Sequence, residues 1–230
     1  MEVLYEDNHI IVVNKRPGEI VQGDKTGDEP LGETVKRYLK EKYAKPGNVY
    51  LGVAHRLDRP VSGVVLFART SKALPRLNQM FAAHGQVRKT YLAIVCSRPA
   101  QDAGTLTHWL TRNEKSNTAR AYDREVPGSK KAVLDYRLAA CSDRYFLLEV
   151  HLHTGRHHQI RCQLSAMGCP IKGDLKYGAP RSNPDGSISL HAYRLQLEHP
   201  VSHQALDFTA PLPHDRLWQS FQPALDNVSP

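Results

Sequence analysis

Short apolar runs separated by polar turns dominate this chain, and most are too short and too regularly spaced to be anything but strands. Runs at 3–5 and 10–13 flank Glu6-Asp7-Asn8 and predict a hairpin. Asn14-Lys15-Arg16-Pro17-Gly18 ends it, and the Gly-, Asp- and Pro-rich stretch 22–31 predicts a mobile loop. Leu31, Val35, Tyr38 and Leu39 have helical spacing, with Lys36, Arg37 and Lys40 on the remaining, solvated faces. Apolar runs at 49–54 and 64–68 predict strands on either side of a polar kink. Leu74, Leu77 and Phe81 then mark one face of a helix, with Thr70 or Ser71 near its start, Pro75 in its first turn and Gly85 after its end. Residues 87–95 read as a strand.

Residues 97–131 are polar and are expected to be irregular. Runs at 132–138 and 145–152 predict a second hairpin about Cys141-Ser142-Asp143-Arg144. Ile160 and Leu164 place one helix face inward, and Gly168 stops that helix. Strands return at 189–197 and 205–209, and a short terminal helix carries Trp218 and Phe221. Hairpins separated by a few helices argue an α+β fold with a largely antiparallel sheet. No internal repeat or linker divides residues 1–230, which read as a single domain.

Composition narrows the function classes. Lys and Arg number 31 against 23 Asp and Glu, a formal charge of +8 with a pI near 9.3. Such a balance favours a polyanionic partner, because basic surfaces release counterions from nucleic acid. No run approaches the ~18 apolar residues of a membrane span. The N-terminal residues lack the basic and apolar regions of a signal peptide. Cys96, Cys141, Cys162 and Cys169 have no Cys-x-x-Cys spacing, so reduced thiols and a cytoplasmic location are expected. His151, His153, His157 and His158 crowd one stretch, but no spacing matches a zinc site and no metal is expected.

The chemistry concentrates in His55-Arg56-Leu57-Asp58-Arg59-Pro60-Val61-Ser62-Gly63. An Arg-x-Asp between two apolar runs, closed by Pro and Gly, presents side chains at a rim. Two arginines within two residues of Asp58 favour its ionised form, and an ionised carboxylate can act as a nucleophile. This segment resembles the His-Arg-Leu-Asp motif of RNA pseudouridine synthases, specifically the family of the ribosomal large-subunit uridine-modifying enzymes. Val61 stands where that pattern has Thr. The segment Arg88-Lys89-Thr90-Tyr91 is similar to the family's second motif, a basic residue, a spacer and Tyr ahead of a strand. Thr154-Gly155-Arg156-His157-His158-Gln159-Ile160-Arg161 is similar to the third, with His157 in place of Thr. Gly173-Asp174-Leu175-Lys176-Tyr177-Gly178 and Leu190-His191-Ala192 complete the likeness, which is strongest over 1–210.

The resemblance implies a pseudouridine synthase fold: a bent, mixed, mostly antiparallel sheet with flanking helices and a central RNA-binding cleft. It implies Asp58 as nucleophile, Tyr91 stacking on a flipped uracil, and Arg161 paired with Asp58. RNA contacts are expected at Arg56, Arg59, Lys89, Arg156 and His158, although each basic side chain taken singly fits an ordinary solvated charge better, and the resemblance places Leu190 near the bound base. Read as residues alone, Tyr91 also fits a half-buried strand tyrosine, and Asp174 fits a turn cap after Gly173. Lys15, Arg88, Lys130, Lys131 and Lys172 are further candidates for phosphate contact. The implied activity is isomerisation of uridine to pseudouridine in structured ribosomal or transfer RNA; a monomer is expected because no exposed apolar helix face is evident. The reaction is redox-neutral and needs no cofactor, and the chain has no Gly-x-Gly-x-x-Gly or Walker-type loop. Relatives of this kind often carry an extra RNA-binding domain ahead of the catalytic one, which is not expected here. Two other readings compete. One is a non-catalytic, basic RNA-binding protein with a decayed cleft, for which Val61 and His157 leave room. The other is a glycosidase or nucleosidase, which usually needs two carboxylates about the bond where only Asp58 has a persuasive setting.

Overall fold

The first hairpin forms as its pattern requires. In the computed structural model, which describes residues 1–23, 27–83 and 85–226, β1 (Glu2–Glu6) pairs antiparallel with β2 (Ile10–Lys15). Asp7 makes the turn by accepting the backbone N–H groups of His9 and Ile10 at 2.7 and 2.8 Å. Tyr5 and His199 also reach the Asp7 carboxylate, at 3.0 and 2.9 Å. The chain divides into two compact units, Met1–Arg88 with Ala192–Pro211, and Lys89–His191 with Leu212–Pro230.

In the first unit, helix α1 (Leu31–Lys42) buries Val35 and Leu39 on the expected face. Glu33 in its first turn and Lys40 and Lys42 in its last suit the helix dipole. The apolar run 49–54 narrows to a two-residue strand, β3 (Gly52–Val53), which pairs with β4 (Ser62–Ala68). Strand β4 also pairs with β2 in an unbroken antiparallel register from Ile10–Ala68 to Lys15–Gly63. Every residue of β4 is buried, as the continuous apolar run implies for a strand covered on both faces. Helix α2 (Ala73–Ala82) follows, and its start is held by Thr70, whose hydroxyl accepts the Ala73 N–H at 3.2 Å. The core joins Ile10, Val12, Val64, Leu66 and Leu77 to Leu195, Leu197 and Phe208. The part of the loop 22–31 that spans residues 24–26 lies outside the described residues.

The second unit holds strands β5 (Val87–Val95, from Lys89 onward), β6 (Ala103–Asn113), β7 (Thr118–Tyr122), β8 (Lys130–Cys141) and β9 (Phe146–Leu152) in the order β5-β9-β8-β6-β7. Each of these ladders is antiparallel. Residues 97–131 are therefore not irregular, since they supply β6, β7 and the first residues of β8. Their polar alternation hid them, because one face of this hairpin meets solvent. Helix α3 (Gln159–Ala166) packs on the other face, where Leu110, Ala119 and Ala132 bury against Cys162 and Tyr177. His157 and His158 precede α3 rather than lying on it. His158 caps it in a left-handed conformation with φ of 51°. Strand β10 (Leu190–Glu198) begins in this unit and continues into the first, where it neighbours β4 and pairs with β11 (Ala205–Thr209). Helix α4 (Arg216–Asp226) buries Trp218 and Phe221. Elements and ladders together make this an α+β fold.

Candidate active site

The sequence-derived candidates are divided between the units. Arg56, Asp58 and Arg59 lie in the first, and Lys89, Tyr91, Arg156, His158, Arg161 and Leu190 in the second.

Asp58 sits, partly buried, on a strand-free loop between β3 and β4, and three features hold that loop. First, the Lys15 ammonium lies beneath it. The side chain is almost wholly buried, and its nitrogen donates to the backbone oxygens of Arg16 at 3.1 Å, Arg59 at 3.0 Å and Val61 at 2.5 Å. An ammonium has three N–H donors, so this acceptor set matches its capacity. Burial pushes the Lys15 pKa down to about 8, while the negative charges of Glu19 and Asp58 favour its protonated form. Lys15 is therefore not a phosphate contact. Its sequence position beside Asn14 and Arg16 suggested a surface cation, but β2 aims it inward.

Second, His55 anchors the other side. Its Nε2 accepts the Leu66 N–H at 2.9 Å, which places a ring proton on Nδ1, and its ring stacks on Phe81 with centroids 4.5 Å apart. Third, Gly63 adopts φ of +114°, and a Cβ there would lie 2.2 Å from the backbone oxygen of Ala192. Only glycine allows β4 and β10 to approach this closely after the loop. A turn hydrogen bond from the Val61 N–H to the Asp58 oxygen at 3.0 Å, and another from the Gly18 N–H to the Arg59 oxygen at 2.8 Å, complete the frame. Leu57 and Val61 point inward, while Arg56 is exposed. Arg59 reaches the Asp28 carboxylate at 2.6 Å, on the surface.

In the second unit, Tyr91 is half-buried on β5, opposite Val150 of β9. Lys89 lies two residues before it, and burial lowers its pKa. The third motif is a set of local staples. The Thr154 hydroxyl accepts the Val133 N–H at 2.9 Å and donates to Gln159 Oε1 at 2.7 Å. The same oxygen accepts the Arg156 N–H, while Gln159 Nε2 donates to the Val133 oxygen. The Arg156 side chain stays exposed and donates from Nε to the Lys131 oxygen.

Arg161 is more deeply placed than its helix position suggested, with only 4% of its surface exposed. Its Nε and Nη2 donate to the two oxygens of Asp174 at 2.7 and 2.8 Å, a bidentate pair buried on both sides. Asp174 is thus not a side-chain turn cap. Its backbone oxygen closes the turn to Tyr177 and Ala179, and its carboxylate holds Arg161. The Tyr177 ring lies 5.1 Å from the Arg161 guanidinium carbon. The Tyr177 hydroxyl accepts the Ala119 N–H at 2.7 Å and meets His158 Nδ1 at 2.9 Å. Burial pushes that hydroxyl up to about 12, so it stays protonated. His158 is itself buried, with its ring stacked on His157. Leu190 is buried at the start of β10. Lys172 is bonded to Asn183 beside the Tyr145 ring.

The other histidines point to separate carboxylates, His151 to Glu149 and His153 to Asp135. No group of three or more His, Cys, Asp or Glu side chains able to hold a metal ion occurs among the described residues. No helix among them is long and apolar enough to cross a membrane.

The first unit thus presents a carboxylate on a clamped loop between arginines, and the second holds a half-buried tyrosine on β5 and a buried arginine on α3. The family model for RNA pseudouridylate synthases matches residues 9–166, and the chain belongs to that family. Among curated relatives, it is 32% identical to an uncharacterized RNA pseudouridine synthase of Bacillus subtilis, covering 94% of this chain and 74% of that one. It is 34% identical to tRNA pseudouridine synthase C of Pectobacterium carotovorum, over 91% of this chain and 58% of the relative. Ribosomal large subunit pseudouridine synthase D of Xylella fastidiosa is 33% identical, over 94% and 67%. The fold matches that of human RNA pseudouridylate synthase domain containing 4, with a TM-score of 0.78, 24% identity and coverage of 98% and 93%. By family, the protein is an RNA pseudouridine synthase, an isomerase.

Proposed function

We propose that this protein converts uridine to pseudouridine in structured ribosomal or transfer RNA, with Asp58 as the nucleophile. The observation that carries the reading is the Lys15, His55 and Gly63 frame about the Asp58 loop. Preorganised carboxylates on rigid supports act far better than mobile ones, because the orienting entropy is already spent. The relatives named for transfer RNA and for the ribosomal large subunit support both RNA classes as substrates.

The target uridine is stacked or paired in its RNA and must be extruded to be reached. Arg56, exposed beside Asp58, fills the vacated space or grips the adjacent phosphate. Asp58 then attacks ribose carbon 1′ or ring carbon 6, or removes a ribose proton to give a glycal. The bond from carbon 1′ to ring nitrogen 1 breaks, the uracil rotates, and a bond from carbon 1′ to carbon 5 forms; Asp58 is released from the carbon it attacked or, on the glycal route, returns the ribose proton. The proton leaves carbon 5 and nitrogen 1 gains one, so the sum is an isomerisation with no net redox change. Tyr91 stacks on the loosened base, which is worth ~1–3 kcal/mol per base in comparable sites. By the family resemblance, Arg161 orients Asp58. Arg59, Lys89 and Arg156 serve the RNA backbone, and Leu190 packs near the base.

The test incubates RNA lacking pseudouridine with the purified protein and no cofactor, then maps pseudouridine by chemical labelling that stops reverse transcription. New stops with the natural protein and none with Asp58→Ala, at retained RNA affinity, are expected. Equal stops with Asp58→Ala would remove Asp58 from the chemistry.

A further inference from the structure

The second unit displays a stripe that this chemistry does not use. Register across three strands sets Tyr122 of β7, Trp109 of β6 and Lys131 of β8 side by side. The next row on the same face pairs Thr111 with Arg120. Residues directly opposed in an antiparallel ladder share a face. Their neighbours Leu110, Ala119 and Ala132 point the other way, into the core beneath α3. Register from Tyr91 through Val150 to Tyr136 puts Tyr91 on that core side too. The stripe therefore lies on the sheet face opposite Tyr91 and α3.

Its composition is selective. Arg120 and Lys131 are exposed, and Trp109 and Tyr122 are half-buried. The Arg120 guanidinium carbon lies 5.1 Å from the Tyr122 ring centre, and Lys131 Nζ lies 6.0 Å from that of Trp109. None of the five residues is acidic. Asp123, next in sequence, turns to the far face, 3.7 Å from His108 Nε2. Asp135, farther along the stripe's face, is engaged by Thr105 and His153 at 2.6 Å each. Aromatic planes flanked by cations suit a strand whose bases stack and whose phosphates pair with the charges. A purely apolar protein partner would leave both cations without counter-charge. β7 is the last strand in the order, so an RNA strand leaving the face that carries Tyr91 reaches the stripe by turning round a single edge.

We propose that this face binds an unpaired stretch of the substrate RNA, about two or three nucleotides long, away from the modified uridine. The identity of the RNA as substrate rests on the function proposed above, whereas the stripe's affinity for unpaired RNA does not.

The experiment measures binding of a fluorescein-labelled oligouridylate to the full chain carrying Asp58→Asn, which removes chemistry from the readout. Trp109→Ala should weaken binding roughly tenfold or more, and Trp109→Phe should keep most of it, because stacking needs only the ring plane. Arg120→Ala with Lys131→Ala, both at exposed positions that folding tolerates, should lower the slope of log affinity against log salt by about 1 to 2. Unchanged affinity and slope in these variants would overturn the proposal. So would equal competition by polyglutamate or by duplex RNA, since neither offers unpaired bases. If the stripe variants lose the oligouridylate while the natural protein makes no pseudouridine, the stripe stands and the proposed function fails. If Asp58→Ala abolishes turnover while the stripe variants bind normally, the stripe alone fails.

Discussion

The Lys15 ammonium donates to the backbone oxygen of Val61 at 2.5 Å, three residues past the candidate nucleophile. A buried cation and a main-chain carbonyl thus tie β2 to the loop that presents Asp58. Removing that tie frees the loop without touching Asp58. Lys15→Met should lower kcat by about a hundredfold, the scale at which ångström-level misplacement acts. Single-turnover kinetics with saturating RNA check this. An unchanged rate would show that the loop holds itself.

The same lysine predicts a pH dependence. Burial sets its folded pKa at about 8, below the ordinary 10.5. Above about 8 the folded protein loses the ammonium, and a neutral amine has a lone pair facing one of three carbonyls. Turnover should therefore fall as pH rises through about 8. Stability moves the other way. Between about 8 and 10.5 the unfolded chain binds more protons at this site, so this group's contribution to stability rises with pH and is lowest below about 8. Comparing pH profiles of rate and of urea midpoint for the natural protein and Lys15→Met separates the two effects.

Gly63 combines a positive φ with backbone contact. Gly63→Ala places a methyl against the Ala192 carbonyl, where neither strand can withdraw without breaking the β2–β4 or β10 ladders. A loss of more than about 3 kcal/mol in urea unfolding is expected, beyond the strain of a left-handed alanine alone. A loss under 1 kcal/mol, on the order of ordinary surface changes, would mean that the strands separate easily.

The Arg161–Asp174 pair separates stability from chemistry. Asp174→Ala leaves a buried guanidinium without its bidentate partner and should cost about 3–5 kcal/mol. Replacing both partners, as Arg161→Met with Asp174→Leu, should recover most of that stability, because apolar isosteres avoid desolvation altogether. Turnover should stay absent in the double variant if Arg161 orients the nucleophile. Thermal unfolding and the reverse-transcription assay on the same preparations read both quantities.

The His-Arg-Leu-Asp segment, the Lys-x-Tyr strand and the Gly-Arg-x-His-Gln-Ile-Arg stretch were legible because each is local. Their residues lie within one turn, strand or helix start, where spacing carries the geometry. Among the described residues, most strands and the four α-helices were legible for the same reason, since periodic burial leaves a periodic sequence. The β6–β7 hairpin was not, because one of its faces meets solvent and its alternation reads as polarity.

What the sequence by itself determined was thus most of the elements, the family and the identity of the candidate residues. Tertiary structure alone decided which charges turn inward. Lys15 reads as a surface cation until β2 pairs with β4 and brings carbonyls of residues 59 and 61 to its nitrogen. Asp174 reads as a turn residue until α3 delivers Arg161 across 13 positions of chain. Both pairings join residues distant in sequence, and a buried charge selects its partner by position in space, which no local pattern records.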